Sequence, residues 1–163
     1  MVSEPKSEEA LLARAWNVAG LTLGELGAEV GIEVPDEGLR GKGVAGQILE
    51  KALGASAGSR AEPDFVVLGI ELKTIPVDAS GKPKESTFVA SISLSAMADT
   101  DWEQSVVLKK LAKVLFVPVE ASSATPLRDR RVGRAYLWKP NEAEQRLLRA
   151  DWERLAEMIA AGD

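Results

Sequence analysis

The stretch Asp64-Phe65-Val66-Val67-Leu68-Gly69-Ile70-Glu71-Leu72-Lys73 sets two carboxylates and an ammonium group along an otherwise apolar run. We expect two β-rich segments, 65–67 and 70–77, to pair as a hairpin around a tight turn at Leu68-Gly69, which places Asp64 roughly opposite Glu71. Because strand side chains alternate between faces, Glu71 and Lys73 share one face, and Leu72 points the other way into a core. The pattern Asp-x6-Glu-x-Lys therefore predicts a cluster of charges on one face of a strand.

Such a cluster has the chemistry that a Mg²⁺-dependent phosphodiesterase needs. A divalent metal neutralises the phosphate oxygens, activates a bound water and stabilises the leaving oxygen. Mg²⁺ prefers oxygen ligands and keeps several waters, so two or three carboxylates are enough. We therefore predict metal ligands at Asp64, at Glu71 and at the main-chain carbonyl of Leu72, with Glu50 from the preceding helix completing a second metal position. Lys73 is predicted to hold the attacking water or a phosphate oxygen. Mn²⁺ or Ca²⁺ is expected to fit the same site.

The same residues also have a purely structural interpretation. Glu71 and Lys73 can form an exposed ion pair on one strand face, which is a common arrangement that contributes little stability. An Asp followed some residues later by Glu-x-Lys also arises by chance in many proteins. The apolar surroundings favour the functional interpretation, because a charged pair within an apolar strand needs a reason.

Composition excludes several other kinds of catalytic site. The chain of 163 residues contains neither His nor Cys, which removes Ser-His-Asp triads, Cys-His dyads, His- or thiolate-ligated zinc and disulfides. Its net charge of −5 has the wrong sign for non-specific coating of nucleic acid, so DNA contacts must come from local basic patches, a metal or a partner. No apolar run is long enough to span a bilayer and no leader opens the chain. We expect a cytoplasmic protein without membrane association.

The remaining sequence predicts a mixed sheet with helices on its faces. Ser7 is expected to cap a first helix, and Thr22 with Glu25 forms a capping box that opens a second. Asn141 with Glu144 repeats the signature before a long final helix. Between these, patterning predicts helices at about 44–53 and, capped by residue 101, up to 111, with strands at 86–94, 114–119 and 135–138. The fold class is α/β or α+β, with a central mixed β-sheet flanked by helices.

Basic residues form two further candidate surfaces. Lys109, Lys110 and Lys113 lie on one predicted helix and its end, where they form either a phosphate-facing edge or a solvated face. The loop 128–134 contains four Arg in seven residues and either contacts phosphate or an acidic partner, or only adds solubility. Phe88 is either a core residue or, because it follows a Lys-rich turn, a contact residue.

Nine short runs spread along the chain carry a family resemblance. They are Leu53–Ser59, Pro63–Phe65, Leu68–Asp78, Glu85–Val89, Trp102-Glu103, Val119-Glu120, Arg130–Gly133, Leu137-Trp138 and Pro140–Glu142. Through these runs the sequence resembles the MutH family of methyl-directed mismatch-repair endonucleases. The resemblance extends from about Glu8 to the final helix and is far more specific than the acidic motif alone.

The resemblance implies a restriction-endonuclease-like fold and Mg²⁺-dependent nicking of the unmethylated strand of double-stranded DNA at hemimethylated GATC sites. It also implies activation by MutL after MutS has found a mismatch. Carried over by position, the family's catalytic set matches Glu50, Asp64, Glu71, Lys73 and the active-site lysine Lys110, and residues that bear on DNA contact match Lys42 and Phe88.

One departure from the family pattern affects the expected function. Chains of this family continue with a second arm that reads the GATC bases and senses the adenine methyl group, whereas this sequence stops at Asp163. We therefore expect residues 1–163 to form one monomeric endonuclease domain, the catalytic lobe, without that arm. Two alternatives stay open: a non-catalytic lobe that docks a repair partner, and a restriction-type endonuclease with a related core and another target.

Overall fold

The computed structural model describes residues 2–35, 43–58, 60, 62–98 and 100–162, so the predicted DNA contact Lys42 lies outside the described residues. Its helices are α1 (Glu8–Asn17), α2 (Leu23–Val30), α3 (Val44–Leu53), α4 (Leu94–Ala98), α5 (Val106–Leu111) and α6 (Glu142–Ala161). Its strands are β1 (Glu71–Val77), β2 (Val114–Glu120) and β3 (Tyr136–Trp138), and two short 3₁₀ turns lie at Trp102–Gln104 and Leu127–Asp129. Within these ranges no helix has the length and apolar character needed to cross a membrane.

The three strands form one mixed sheet in the order β1-β2-β3. Strands β1 and β2 run parallel, with Glu71 opposite Val114 and Val77 opposite Glu120. Strands β2 and β3 are antiparallel. A parallel pair needs a long crossover connection. Residues 78–113 supply this connection, which includes α4 and α5. The predicted mixed sheet with flanking helices is confirmed.

Local sequence signals set the helix starts as predicted. The hydroxyl of Ser7 accepts a main-chain hydrogen bond from the first turn of α1. Thr22 and Glu25 form the reciprocal capping box of α2, and Asn141 and Glu144 form the same box at α6. Each cap satisfies N–H groups that a helix cannot pair internally.

Two apolar clusters hold the fold together. The larger one packs α1, α2 and α3 against the sheet, and its fully buried members include Leu11, Leu23, Leu26, Ile48, Leu49, Leu53, Phe65, Ile70, Leu115 and Val117. The smaller one joins α4 to α6 through Met97, Trp102 and Trp152. The two indole centroids lie 6.3 Å apart, so these tryptophans are packing residues. Leu72 is buried, as its position on β1 predicts.

The predicted strand at 86–94 is wrong. Residues 86–93 form no strand, and α4 begins at Leu94. The N–H of Lys84 donates to the carbonyl oxygen of Pro76 at 2.9 Å, but Pro76 has no N–H with which to return a bond. Within the part of the chain that the structure describes, pairing on this edge of β1 is therefore limited to one bridge between Val77 and Pro83.

The single helix predicted up to residue 111 is also wrong, because the chain is extended at Ser105. A 3₁₀ turn at 102–104 precedes this residue and α5 follows it. The buried Ser105 hydroxyl accepts a hydrogen bond from Leu108 N–H at 3.0 Å, so it acts as the N-cap of α5. Asp101, the predicted cap, makes no side-chain capping bond.

Candidate active site

A turn at residues 66–69 brings Asp64 beside the start of β1. Phe65 and Ile70 exchange two main-chain hydrogen bonds of 2.9 and 3.2 Å, and Gly69 adopts a left-handed φ of 63° that favours glycine. The predicted strand at 65–67 is thus reduced to one bridged residue and a turn. The predicted antiparallel pairing is confined to the bridge between Phe65 and Ile70, and beside it Leu72 N–H donates to Asp64 Oδ2 at 2.8 Å.

Glu71 is a buried carboxylate held by two lysines. Its side chain is 3% exposed, and its Oε1 accepts from Lys73 Nζ at 2.9 Å and from Lys110 Nζ at 2.8 Å. The two lysine side chains are 17% and 20% exposed. The predicted same-face pair is confirmed, but it is not the exposed ion pair of the structural interpretation. Carboxylates are buried in this way only when they are well paired.

The second oxygen of Glu71 has unused bonding capacity. Glu71 Oε2 is buried and has no hydrogen-bond partner among the residues that the structure describes. Leaving such an acceptor unsatisfied costs about 1–3 kcal/mol, and more for a charged group. A hard cation is one partner that satisfies a buried carboxylate oxygen.

Glu50 and Asp64 are both disfavoured as anions in this environment. Burial raises the pKa of Glu50 above its usual value, and the charges of Asp64 and Glu71 raise it further. Burial raises the pKa of Asp64 more than the hydrogen bond from Leu72 lowers it. The three carboxylates therefore repel one another across a common region, and a divalent cation there would relieve the repulsion.

The available donor atoms suit a metal that prefers oxygen ligands, but the carboxylates lie apart from one another. In the described ranges no three Asp, Glu, His or Cys side chains lie close enough together to hold an ion. Two ammonium groups contact Glu71 instead. The groups that could hold Mg²⁺, Mn²⁺ or Ca²⁺ are the carboxylates of Glu50, Asp64 and Glu71 and the Leu72 carbonyl, all of which are hard oxygen donors.

A cleft of about 440 Å³ opens between α3, β1 and the segment after Lys84. Four of the predicted site residues, Glu50, Leu72, Lys73 and Phe88, line it. The other lining residues are Gly43, Gly46, Thr74, Pro76, Glu85, Ser86 and Thr87. Phe88 is 70% exposed, so the interpretation of this residue as core is wrong.

Sequence reasoning missed the polar lining residues Thr74, Glu85, Ser86 and Thr87. Thr74 lies on β1 next to Lys73, within the run 68–78, and the other three residues lie within the run 85–89. Both runs carry part of the family resemblance, which was the only available signal.

The three lysines near α5 have different environments and do not form a single edge. Lys110 pairs with Glu71, as described above, whereas the neighbouring Lys109 is exposed. Lys113 Nζ donates to the carbonyl oxygen of Leu68 at 3.1 Å and pairs with Glu8 at 3.0 Å.

Lys113 braces the turn that separates the two acidic residues. Its side chain holds Leu68 within that turn, and its carbonyl oxygen accepts from Glu71 N–H at 3.0 Å. The hydrogen bonds from Lys139 and Lys113 lower the pKa of Glu8. No sequence signal links Glu8 to Lys113, because the two residues lie 105 positions apart.

The arginine-rich loop is largely used in packing. Arg130 and Arg131 donate to the main-chain carbonyl oxygens of Thr125 and Gly20 at 3.1 and 2.6 Å. Arg134 stacks over an indole ring, with its guanidinium carbon 4.5 Å from the ring centroid. Three of the four arginines thus stabilise the loop and its contact with α1 and the segment that follows it.

Comparison with known proteins assigns the chain to a family. Residues 53–151 match the family model described as DNA mismatch repair enzyme MutH. The DNA mismatch repair protein MutH of Escherichia coli strain K12 is 52% identical over 162 residues, which cover 99% of this chain and 71% of that protein. The protein of the same name from E. coli O6:K15:H31 (strain 536) is 51% identical over the same shares. The chain belongs to the MutH family.

MutH membership also accounts for the fold. The mixed α/β architecture confirms the restriction-endonuclease-like class expected for a MutH protein. The matched MutH segment contains Asp64, Glu71, Lys73, Phe88 and Lys110, and it begins after Glu50.

Proposed function

We propose that this protein is a metal-dependent DNA endonuclease that nicks the unmethylated strand at hemimethylated GATC sites. The observation that carries the proposal is the buried carboxylate of Glu71, with two lysines on Oε1 and no partner for Oε2. Asp64 accepts a hydrogen bond from the N–H of Leu72, the residue after Glu71 on β1, and Lys73 lines the cleft. Family membership in mismatch repair supports DNA as the substrate.

The metal would be held by residues at the start of β1 and on the neighbouring elements. Asp64 and Glu71, with the main-chain carbonyl of Leu72, form the first position, and Glu50 on α3 contributes to a second. When bound, Mg²⁺ supplies charge neutralisation at the phosphate and activation of a bound water. Mn²⁺ and Ca²⁺ share its preference for oxygen ligands.

Lys73 would position the nucleophile. Its Nζ lies 2.9 Å from Glu71 Oε1 and also donates to the carbonyl oxygen of Val89 at 3.5 Å. Because Lys73 also lines the cleft, its charge adjoins both the carboxylates and the space where a phosphate would enter. A compact ammonium group in this place can hold a water or a phosphate oxygen.

We further propose that residues 1–163 form one monomeric catalytic domain in the bacterial cytoplasm, activated by MutL and indirectly by MutS. The net charge of −5 gives no general attraction to DNA, so a delivering partner and local contacts at Phe88 and Lys42 are needed. The E. coli relatives extend beyond the matched region. Recognition of GATC is therefore proposed for the whole protein.

The first test is nicking of a hemimethylated GATC duplex with Mg²⁺ and MutL. Glu71→Ala and Lys73→Ala are expected to reduce the rate by orders of magnitude, since the metal site supplies several kcal/mol of transition-state stabilisation. Lys109→Met removes an exposed charge from α5 and should keep the wild-type rate. Wild-type activity in either site variant would contradict the assigned roles, and cleavage of DNA that lacks GATC would favour the restriction-type alternative.

A second test uses no catalysis. Metal that binds the folded state raises stability by RT ln(1 + [L]/Kd), which is about 2.7 kcal/mol at a hundredfold excess over Kd. Millimolar Mg²⁺ or Ca²⁺ should therefore raise the Tm of the wild-type protein but not that of Glu71→Ala. Partner binding that survives Asp64→Ala, with no cleavage under any metal, would favour the docking lobe.

A further inference from the structure

We propose that Lys110 makes metal binding depend on DNA: it neutralises Glu71 in the free protein, competes there with the metal, and transfers to the DNA phosphate when both ligands bind. This inference rests on the proposed function and names the residue that links its two ligands. It assigns Lys110 a positioning role that changes between the free and bound states.

The geometry of Glu71 shows why the two lysines oppose a metal. Both ammonium groups lie within 2.9 Å of the same oxygen, Oε1, and Oε2 is left buried and unsatisfied. A dication that binds this carboxylate approaches two positive charges at close range. Repulsion between like charges a few ångströms apart, at the effective dielectric of a protein site, therefore weakens metal binding here.

Of the two lysines, Lys110 is the one that is free to leave. Lys73 lies on β1, two positions from Glu71, in the paired register opposite Phe116, and its Nζ has a second partner in the Val89 carbonyl oxygen. Lys110 lies in the last turn of the six-residue helix α5. Among the described residues its ammonium group has Glu71 as its polar partner. Rotation of its long side chain is enough to release it.

Charge balance gives the direction of the coupling. Three carboxylates and two ammonium groups leave the free site at −1, and both lysines act electrostatically on Glu50 and Asp64 as well as on Glu71. A dication alone brings the site to +1, and a phosphate restores neutrality. Without Lys110 the free site is at −2. A dication alone then brings the site to neutrality, so an added phosphate raises the affinity for the metal less. Linkage requires that this coupling be reciprocal.

The test is calorimetric titration with CaCl₂, with and without a short GATC duplex. We expect Lys110→Met to bind Ca²⁺ at least tenfold more tightly than wild type without DNA, and to show a smaller gain in Ca²⁺ affinity when the duplex is added. Lys109→Met is the matched control: it removes an equal charge from the adjacent, exposed position and should behave as wild type in both titrations. Lys110→Gln keeps a hydrogen-bond donor without the charge and should behave as Lys110→Met.

Each contrary result has a distinct meaning. Unchanged or weaker Ca²⁺ binding by Lys110→Met would overturn the competition, as would wild-type behaviour of Lys110→Gln. An equal tightening in Lys109→Met would show that general charge is responsible and would also overturn it. A wild-type protein that binds neither Ca²⁺ nor Mg²⁺, even with the duplex, would overturn the proposed metal dependence itself.

Discussion

The main-chain N–H of Leu72 donates a 2.8 Å hydrogen bond to Oδ2 of Asp64. This contact lies just outside the Phe65–Ile70 bridge that flanks the turn at 66–69, because it joins the residue before Phe65 to the second residue of β1. Asp64 thus has two separable roles: it accepts a hydrogen bond from a partly buried N–H group, and it carries a negative charge beside Glu71.

Two substitutions separate these roles. Asp64→Asn keeps an acceptor and removes the charge, so the metal-free protein should be at least as stable as wild type at pH 7. Asp64→Ala also removes the acceptor, and it should be less stable than Asp64→Asn by about 1–3 kcal/mol because Leu72 N–H is left unpaired. Both variants should lose Mg²⁺-dependent nicking. Urea unfolding measures the difference, and equal stabilities would show that the hydrogen bond contributes nothing.

The raised pKa values of Glu50 and Asp64 predict a pH dependence of the metal-free fold. The folded state keeps protons on these groups at pH values where the unfolded chain, with usual pKa values of 4.5 and 3.8, has lost them. Their contribution to stability is therefore most favourable below those values and is lost as the pH rises through the raised folded values.

Glu50→Gln measures the contribution of Glu50 alone to this pH dependence of stability. The stability gain of Glu50→Gln over wild type should be largest at neutral pH and should shrink as the pH falls toward 4.5. Denaturant unfolding of the two proteins in chelator, between about pH 4 and pH 7, measures it. Glu29→Gln, at an exposed position of α2, is the matched control for the loss of a carboxylate. A constant difference for Glu50→Gln would contradict the predicted repulsion.

Lys113→Met should weaken both the fold and the site. It removes the hydrogen bond to Leu68 and the ion pair with Glu8, with an expected loss of about 1–2 kcal/mol. Since Leu68 lies in the turn between Asp64 and Glu71, the nicking rate should also fall.

Lys139→Met is the control for the contact between Lys113 and the turn. Lys139 also pairs with Glu8, at 2.6 Å, but its side chain is half exposed, and among the described residues its polar partner is Glu8 and not the turn. Its loss should cost less than about 1 kcal/mol and leave the nicking rate unchanged. Equal rates in the Lys113 and Lys139 variants would show that the turn contact does not position the site.

Phe88→Ala should weaken DNA binding without affecting stability. The ring is 70% exposed and lines the cleft, so its removal should change the unfolding free energy by no more than about 0.5 kcal/mol. Tyr136→Ala, at a 63% exposed position on β3, is the matched aromatic control. Equal effects of the two variants on affinity for a GATC duplex would contradict a specific contact at Phe88.

Sequence was sufficient where the deciding interaction is local. The caps at Ser7, at Thr22 with Glu25 and at Asn141 with Glu144 follow from side chains that reach a main-chain N–H a few residues away. The prediction of a strand at 86–94 was wrong, because alternating apolar residues do not reveal the strand edge with which they would pair. That edge belongs to β1, where Pro76 has no N–H to donate.

By itself, the sequence limited which side chains are available to a reaction. The absence of His and Cys leaves carboxylates and lysines, and the alternation of strand side chains places Glu71 and Lys73 on one face. Only the tertiary structure decided which distant groups join them. The parallel pairing of β1 with β2 sets Glu71 opposite Val114, just after α5, and so brings Lys110 to Glu71 and Lys113 to the turn while Lys109 stays exposed. The three lysines are alike in the sequence, and their roles differ because burial and pairing are set by contacts between residues far apart in the chain.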